Sequence, residues 1–439
     1  MADSSNSVLV LTVGTGDVEN LRATLLVPLT KSLRKGEWRK AVLLPSQITT
    51  PFAQQLRAEL ADVSIEIHPL PASGDENDAD ACFAHFDRTI GQLRTEGFSR
   101  AGILVDFTRG TKAMSAALVL AAVRHDLPQI RYISSAQRDA QGLVVPGTEV
   151  VGEVRTAMVS ARKQLDQVRH FTVRGDFAAA LDLLPEPAHP FVALWPGDLL
   201  QAANVLRPAV EFYAAWDRLD YALANEVKLS TAETPAEWRN LWPSADVRAW
   251  VEELAQPLPD EPDKKARRLR QLVVDLLANG ERRLRDQQYE DAILRAYRVL
   301  ELLGQVRLFD HGLDSGNLPP DHPAVQALRK KLQSGSGNAQ LTLNRQRNLQ
   351  ASREHVARLL KQLGDPFSEK LLHLDKTGIK ELTARNHSVL IHGFTAIGNR
   401  TACRLREIYL RLEELIVEDG GNAAHHQLTM ARSLDLSGK

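Results

Sequence analysis

The sequence predicts a doubly wound α/β domain with a mostly parallel sheet at the N-terminus, followed by an all-α linker and an all-α bundle. Three observations lead there. The first third alternates short, wholly apolar runs with helix-like stretches, the pattern of strands buried on both faces by crossover helices. From about Thr156 the strand signal disappears. Beyond it, long amphipathic stretches follow, broken at the proline-rich segments Leu184–Pro190 and Leu258–Pro262.

Taken in order, Val8–Val13 reads as a buried strand ended by Gly14-Thr15-Gly16, with helical spacing from Val18 to about Lys35. Ala41–Leu44 is a second strand, followed by a helix from about Pro51 to Leu60, and Val63–His68 alternates like a third strand. Ser73–Asp80 is a polar, acidic loop, and Ala81–Glu96 is a helix. Gly102–Asp106 is another buried strand, Lys112–His125 an alanine-rich helix and Ile130–Ser134 the next strand. Val144–Val151 adds a small antiparallel edge. These elements set a first domain at 1–155, a helical connecting domain at 156–263 and a second helical domain at 264–419, with 420–439 a disordered tail. The connecting domain holds Trp195, Trp216, Trp238, Trp242 and Trp250, which read as core rather than as platforms for stacking bases. Arg282–Leu308 and Arg400–Val417 are the clearest helices of the last domain, while 311–350 fits no pattern.

Composition narrows the function. With 439 residues the chain needs two or three domains. The net charge of −1 gives no global basic field, so any nucleic-acid site must be local. Two cysteines, Cys82 and Cys403, far apart in sequence, argue against a disulfide framework or a cysteine metal cluster. No cluster of His, Asp and Glu has metal spacing, so no metal or other cofactor is expected. The first residues lack a signal-peptide pattern and no apolar run reaches a membrane span, so a cytoplasmic location without membrane contact is expected.

Two loops stand out because both follow apolar strands. One is Thr12-Val13-Gly14-Thr15-Gly16; the other, Asp106-Phe107-Thr108-Arg109-Gly110-Thr111-Lys112, enters a helix. Ligands of open parallel sheets bind beyond the carboxyl ends of the strands, where strand order reverses. Glycine lets backbone approach a ligand, and a helix N-terminus offers N–H groups and partial positive charge to phosphate. Thr108 and Thr111 add hydroxyls; Arg109 and Lys112 add cationic donors. Gly14-x-Gly16 lacks the third glycine of a dinucleotide fingerprint, and Gly110-Thr111-Lys112 lacks the upstream glycine of an ATPase phosphate loop. By pattern alone, tight turns with capping residues account for the same glycines and threonines.

The strand–Gly-Thr-Gly start, together with Asp106-Phe107-Thr108-Arg109-Gly110-Thr111-Lys112-Ala113-Met114-Ser115, resembles the CARF domain of CRISPR-associated proteins. The resemblance covers about Ser7 to Arg155. It implies a Rossmann-like dimer that binds cyclic oligoadenylate across its two-fold axis. The implied ligand contacts are Thr12, Gly14, Thr15 and Gly16, and the segment Asp106, Thr108, Arg109, Gly110, Thr111 and Lys112. Relatives often carry glycine where this chain has Arg109, which either grips a phosphate or faces solvent.

The sharpest motif lies near the other end: Arg385-Asn386-His387-Ser388-Val389-Leu390-Ile391-His392-Gly393. Arg385 and His392 are seven positions apart, about two helical turns, so on a helix they share one face. His387 would point about 140° away from His392 and reads as structural. Alone, such a pair is an ordinary solvated face. The Arg-Asn start, the His-Gly end and the six intervening residues are similar to the signature of HEPN ribonucleases. Tyr289–Glu301 also resembles the early helix of that family. Within that helix Arg298 and Glu301 read as an ion pair, with Glu301 alternatively bracing Arg385. The resemblance spans about Lys264 to Val417 and implies a helical bundle that dimerises, bringing two Arg/His motifs into one cleft.

The chemistry suits those residues. RNA carries its own nucleophile, the 2′-OH, so a metal-free site must stabilise charge on phosphorus and move protons. A guanidinium binds phosphate bidentately and a histidine titrates near neutrality. The expected catalytic set is therefore Arg385, Asn386 and His392. The resulting expectation is an endoribonuclease for single-stranded RNA, switched on by cyclic oligoadenylate in antiviral CRISPR defence and acting as a homodimer. The competing expectation is a sensor or regulatory scaffold with an inert helical domain, in either case with or without breakdown of the ligand by the N-terminal domain.

Overall fold

The computed structural model describes residues 7–15, 22–36, 38–135, 137, 145, 148–186, 195–229, 236–333, 341–343, 348–383 and 399–432. They fall into two compact units, Met1–Gln167 with Leu183–Asn204, and Val168–Asp182 with Val205–Lys439. The helical stretch expected as a separate connecting domain, 156–263, is shared between them.

Six strands form the sheet of the first unit: β1 (Val8–Val13), β2 (Lys40–Pro45), β3 (Ile65–Ile67), β4 (Ile103–Asp106), β5 (Gln129–Ser135) and β6 (Glu149–Arg155). Their order is β3-β2-β1-β4-β5-β6. All neighbours are parallel except β5 and β6, which run antiparallel from Gln129 opposite Arg155 to Ser135 opposite Glu149. The edge read at Val144–Val151 is thus present but lies further on, and the third strand is shorter than Val63–His68. Chain order reverses on either side of β1, between β2 and β4, which makes the carboxyl ends of β1 and β4 the switch point.

The alternation of side chains across each strand separates two cores. Val8, Val10, Val42 and Leu44 face one layer with Phe86 and Ile90 of α3 (Ala79–Thr95) and Met114 and Leu118 of α4 (Lys112–Arg124). Leu9, Leu11, Val13 and Leu43 face the other, with Leu29 and Leu33 of α1 (Val27–Arg34) and Leu56 of α2 (Thr50–Glu59). Burying one such side chain contributes roughly 1.5–3 kcal/mol, and both faces being covered is why β1, β2 and β4 carry almost no polar residue. Asp78 caps α3 by accepting from the N–H groups of Asp80 and Ala81, which ends the acidic loop before it.

The remaining elements are helical: α5 (Ala157–Arg174), α6 (Phe177–Leu183), α7 (Gly197–Asp217), α8 (Tyr221–Glu226), α9 (Ala245–Ala255), α10 (Pro262–Arg285), α11 (Tyr289–Asp310), α12 (Pro323–Gln333), α13 (Arg353–Gln362), α14 (Phe367–Thr383) and α15 (Asn399–Ala431). A two-stranded antiparallel ribbon, β7 (Thr342–Leu343) with β8 (Leu349–Gln350), lies in the segment no sequence pattern anchored.

The second unit is organised around α10. Pro262 opens it, Asp263 lies in its first turn, and Arg282, Arg283 and Arg285 lie in its last, matching the helix dipole at both ends. The helix expected to run unbroken through Arg282–Leu308 is interrupted. Gln287 takes a left-handed conformation (φ 61°) between α10 and α11, where the polar run Arg285–Asp291 offers no apolar side chain except the Tyr289 ring to keep one helix packed. Asp275, 1 % exposed, accepts from Trp216 Nε1 at 2.9 Å, Tyr221 Oη at 2.7 Å and Trp250 Nε1 at 3.4 Å. Burial pushes its carboxyl above the usual range, against the pull of Tyr221, Arg282 and the two indoles. Trp216, Trp238 and Trp250 are core residues, as expected. Arg282 and Arg283 both bind Asp217, and Arg270 binds Asp310 and Asp419, so these three arginines of α10 are held within the unit. Arg298 pairs with Glu301 at 3.0 Å, the simpler of the two readings of that helix.

The expected tail is corrected in part. Helix α15 continues to Ala431, bent at Gly421 (φ 59°), because Leu428 and Ala431 are buried and Arg432 binds both Glu281 and Glu413.

Candidate functional site

The two loops singled out in the sequence meet at the switch point. A Cβ on Gly14 would stand 2.7 Å from the Gly110 backbone nitrogen and 3.1 Å from its Cα, so the loop after β1 touches the loop after β4 backbone to backbone. Gly110 has φ 141°, outside the range L side chains adopt, and a Cβ there would press on Thr12 Oγ1 and Met114 Cβ, each at 3.2 Å. The Thr12 hydroxyl donates to the Arg109 carbonyl, a second tie between the loops.

The candidate residues divide by position. Thr12 and Asp106 are fully buried. Thr15 and Lys112 are exposed, and Gly14, Thr108, Arg109, Gly110 and Thr111 are half-buried. Gly16 lies outside the described residues. Asp106 is committed inward: one oxygen accepts from the Thr108 N–H at 2.9 Å and from the Thr108 hydroxyl, the other from the Ser32 hydroxyl and Arg131 Nε at 3.3 Å. Arg131, 4 % exposed, also donates to the Ser32 carbonyl at 2.8 Å and to its Oγ at 2.6 Å, and lies over the Trp38 ring at 5.5 Å. The Thr108 hydroxyl accepts the Ile133 N–H at 2.7 Å. Thr111 is the N-cap of α4, accepting from the Met114 N–H at 3.1 Å while donating to the Glu76 carbonyl. The loop is therefore shaped by Asp106, Thr108 and Thr111, while the exposed Thr15 and Lys112 supply a hydroxyl and a cation beside glycine backbone at a helix N-terminus. That combination suits an anionic ligand carrying phosphates.

Sequence reasoning missed Ser32, Arg131 and Thr49, whose hydroxyl donates to the Val13 carbonyl at 2.8 Å and fixes the end of β1. Arg131 carried a usable signal. It is a charge flanked by Ile130, Tyr132 and Ile133 in β5, and a buried cation requires a carboxylate, which Asp106 supplies.

Arg385, Asn386 and His392, with His387 and Gly393, fall between the described parts of α14 and α15 and lie outside the described residues. The helices of the same unit are described. Gly280 admits the Tyr409 ring against α10, and the Tyr409 hydroxyl donates to the Ala292 carbonyl at 2.7 Å, joining α10, α11 and α15. Arg307 binds Asp365 at 3.0 Å and Asp419 at 3.1 Å, and His311 contacts Asp365 at 2.8 Å. The His311 and Phe367 hydrogen bonds and the Arg307 charge hold the Asp365 carboxyl below the usual range although burial alone would raise it. Among the described residues no group of His, Cys, Asp and Glu could hold a metal ion, and no helix is long and apolar enough to cross a membrane.

The described chain thus carries a doubly wound sheet domain with a glycine-lined switch point, followed in sequence by a helical unit in which α10, α11 and α15 meet. Residues 263–416 match the family described as the Csm6 HEPN domain. Over 98 % of this chain and 99 % of the other, the fold superposes with a TM-score of 0.57 and 12 % identity on Enterococcus italicus Csm6, solved bound to cyclic hexa-2′-fluoro-hexa-dAMP. A second solved chain, Sulfobacillus thermosulfidooxidans Can2 in complex with cyclic tetra-adenylate, is 14 % identical over 49 % of this chain and 67 % of its own, with a TM-score of 0.24. No curated protein matches the sequence.

Proposed function

We propose that this protein is a cyclic-oligoadenylate-activated, metal-independent endoribonuclease that cuts single-stranded RNA as a homodimer in the cytoplasm. The observation that carries the reading is that the Arg385–Gly393 motif lies inside the segment matching the Csm6 HEPN family. In the proposed reaction the RNA 2′-OH attacks the adjacent phosphorus and the 5′-oxygen leaves. Arg385 binds the phosphate oxygens as charge develops on them, His392 transfers the proton, and Asn386 orients the phosphate or the imidazole. The products are a 2′,3′-cyclic phosphate and a 5′-hydroxyl, and DNA, lacking the 2′-OH, is not cut.

The proposed activator site is the crevice between the loops after β1 and β4. Gly14, Thr15, Gly16 and Arg109 to Lys112 contact the phosphates of the ring, while Thr12, Asp106 and Thr108 shape the loop. Support comes from the meeting of Gly14 with Gly110 and from a solved chain of the same fold that holds a cyclic hexanucleotide analogue. For the ligand to switch the nuclease on, it must bind the active arrangement more tightly than the inactive one. The test is cleavage of labelled single-stranded RNA with cyclic tetra- or hexa-adenylate in EDTA; product ends carrying 3′-hydroxyls, or a strict need for divalent metal, would refute the chemistry.

A further inference from the structure

Within the helical unit a cleft of about 1060 Å³ opens where three helices end. It is lined by Arg174 at the end of α5, Arg218 just past α7 and Arg285 at the end of α10, with Phe171 and Phe177 on its apolar wall. Its size matches the largest ligand pockets, about 1,000 Å³.

The charges in the cleft are not balanced. Asp217 is neutralised twice over, by Arg282 at 2.9 Å and by Arg283. Asp286 faces Arg285 at 3.5 Å, and Asp176 accepts the Ala179 N–H at 3.3 Å. Arg174 and Arg218 are exposed and, among the described residues, have no ion-pair partner. A cation at a helix C-terminus is stabilised by the dipole. That attraction fades within the last turn, whereas an arginine side chain reaches beyond it and leaves its guanidinium to solvent or to a ligand.

The place of the cleft in the bundle gives it a purpose. Arg270 of α10 binds Asp419 of α15 at 2.8 Å, and Gly280 faces Tyr409. Ten residues forward along α10 correspond to ten residues back along α15, so the two helices are antiparallel and in register. Carried on, that register sets Arg285 level with position 404, about 8 Å of helix from Asn399. Asn399 is where the segment bearing Arg385, Asn386 and His392 enters α15. The cleft thus opens at the end of the bundle from which the motif departs.

We propose that this cleft is a subsite for single-stranded RNA, in which Arg174 and Arg218 hold backbone phosphates of the substrate and the half-buried Phe171 stacks on a base. The proposal rests on the nuclease reading for its purpose but not for its measurement. A fluorescent single-stranded oligonucleotide with 2′-O-methyl groups cannot be cut, so its binding is followed by anisotropy whether or not the enzyme is active. The double variant Arg174→Glu, Arg218→Glu binds it at least tenfold more weakly, and the dependence of affinity on salt becomes shallower by roughly 1.4 in log–log slope, the value for two phosphate contacts to a single strand. Phe171→Ala alone weakens binding about tenfold, the loss of one stacked base. Arg174→Lys, Arg218→Lys restores most of the affinity, which a merely misfolded cleft would not. On cleavable RNA the glutamate variant raises KM and leaves kcat unchanged. Equal binding by wild type and the glutamate variant, or no binding by wild type, overturns the subsite. Weaker binding by that variant alongside a complete absence of cleavage sustains the subsite and counts only against the nuclease reading.

Discussion

Asp106 accepts the backbone N–H of Thr108 at 2.9 Å with one carboxylate oxygen and Arg131 at 3.3 Å with the other. The conformation of the candidate ligand loop is therefore tied to a buried ion pair behind it. Removing one member of such a pair leaves the other charge uncompensated, which costs about 3–5 kcal/mol. Asp106→Ala is expected to destabilise the N-terminal unit by that amount and to weaken cyclic adenylate binding with it, although Asp106 faces inward. Thermal unfolding and calorimetric titration of the same variant check both; a variant that melts like wild type would separate the pair from the loop.

Gly14→Ala is expected to act on the ligand crevice more than on the fold. The added methyl would lie 2.7 Å from backbone nitrogen of Gly110 rather than against a side chain that can rotate away, so the two loops must part. Affinity for cyclic oligoadenylate should fall at least tenfold. Gly110→Ala adds an unfavourable φ to tight contacts with the Thr12 and Met114 side chains, with strain of roughly 1–3 kcal/mol. Titration of both variants by calorimetry tests this, and undiminished affinity in Gly14→Ala would place the ligand elsewhere.

What the sequence disclosed follows from how local each signal is. Continuous apolar runs such as Val8–Val13 and Ile103–Val105 marked strands covered on both faces, and Gly14 and Gly110 marked the loops that follow two of them. Each of those signals is contained in a few consecutive residues. The brace formed by Ser32, Asp106 and Arg131 joins residues 25 to 99 positions apart, and no spacing rule links them. Likewise Gln287 breaks a helix by its backbone conformation, without the glycine or proline that usually announces a break. The continuation of α15 past Gly421 depends on Arg432 finding Glu281 and Glu413, a contact 151 residues away in one case. The Arg385 and His392 motif was legible as a motif; its geometry belongs to positions outside the described residues.

The helical frame carries its own test. Gly280→Ala would set a methyl against the Tyr409 ring, whose hydroxyl bonds the Ala292 carbonyl at 2.7 Å. Because α10, α11 and α15 meet there, the substitution should lower the melting temperature of the helical unit by several degrees. Tyr409→Phe, which removes only the hydrogen bond, should cost about 1 kcal/mol. Matching melts for both variants and wild type would mean that the three helices are held elsewhere.

Acid should loosen the same unit at the C-terminal end of the chain. The hydrogen bonds from Arg432 hold the Glu413 carboxyl below its ordinary 4.5 despite partial burial. A carboxylate with a depressed folded-state pKa contributes stability above its unfolded value, and that contribution is lost as pH falls through the folded value. Thermal melts of wild type should therefore decline below about pH 4.5, and Arg432→Met should shrink the decline. An unchanged acid limb in that variant would contradict the assignment.

The most direct test of the account is cleavage of a fluorescent single-stranded RNA in EDTA, without activator and with cyclic tetra- or hexa-adenylate, by wild type and by His392→Ala. Cutting should need one of the two activators, leave 2′,3′-cyclic phosphate ends and disappear in the variant. Equal cutting by His392→Ala, or no cutting by wild type with a cyclic adenylate bound, would contradict it.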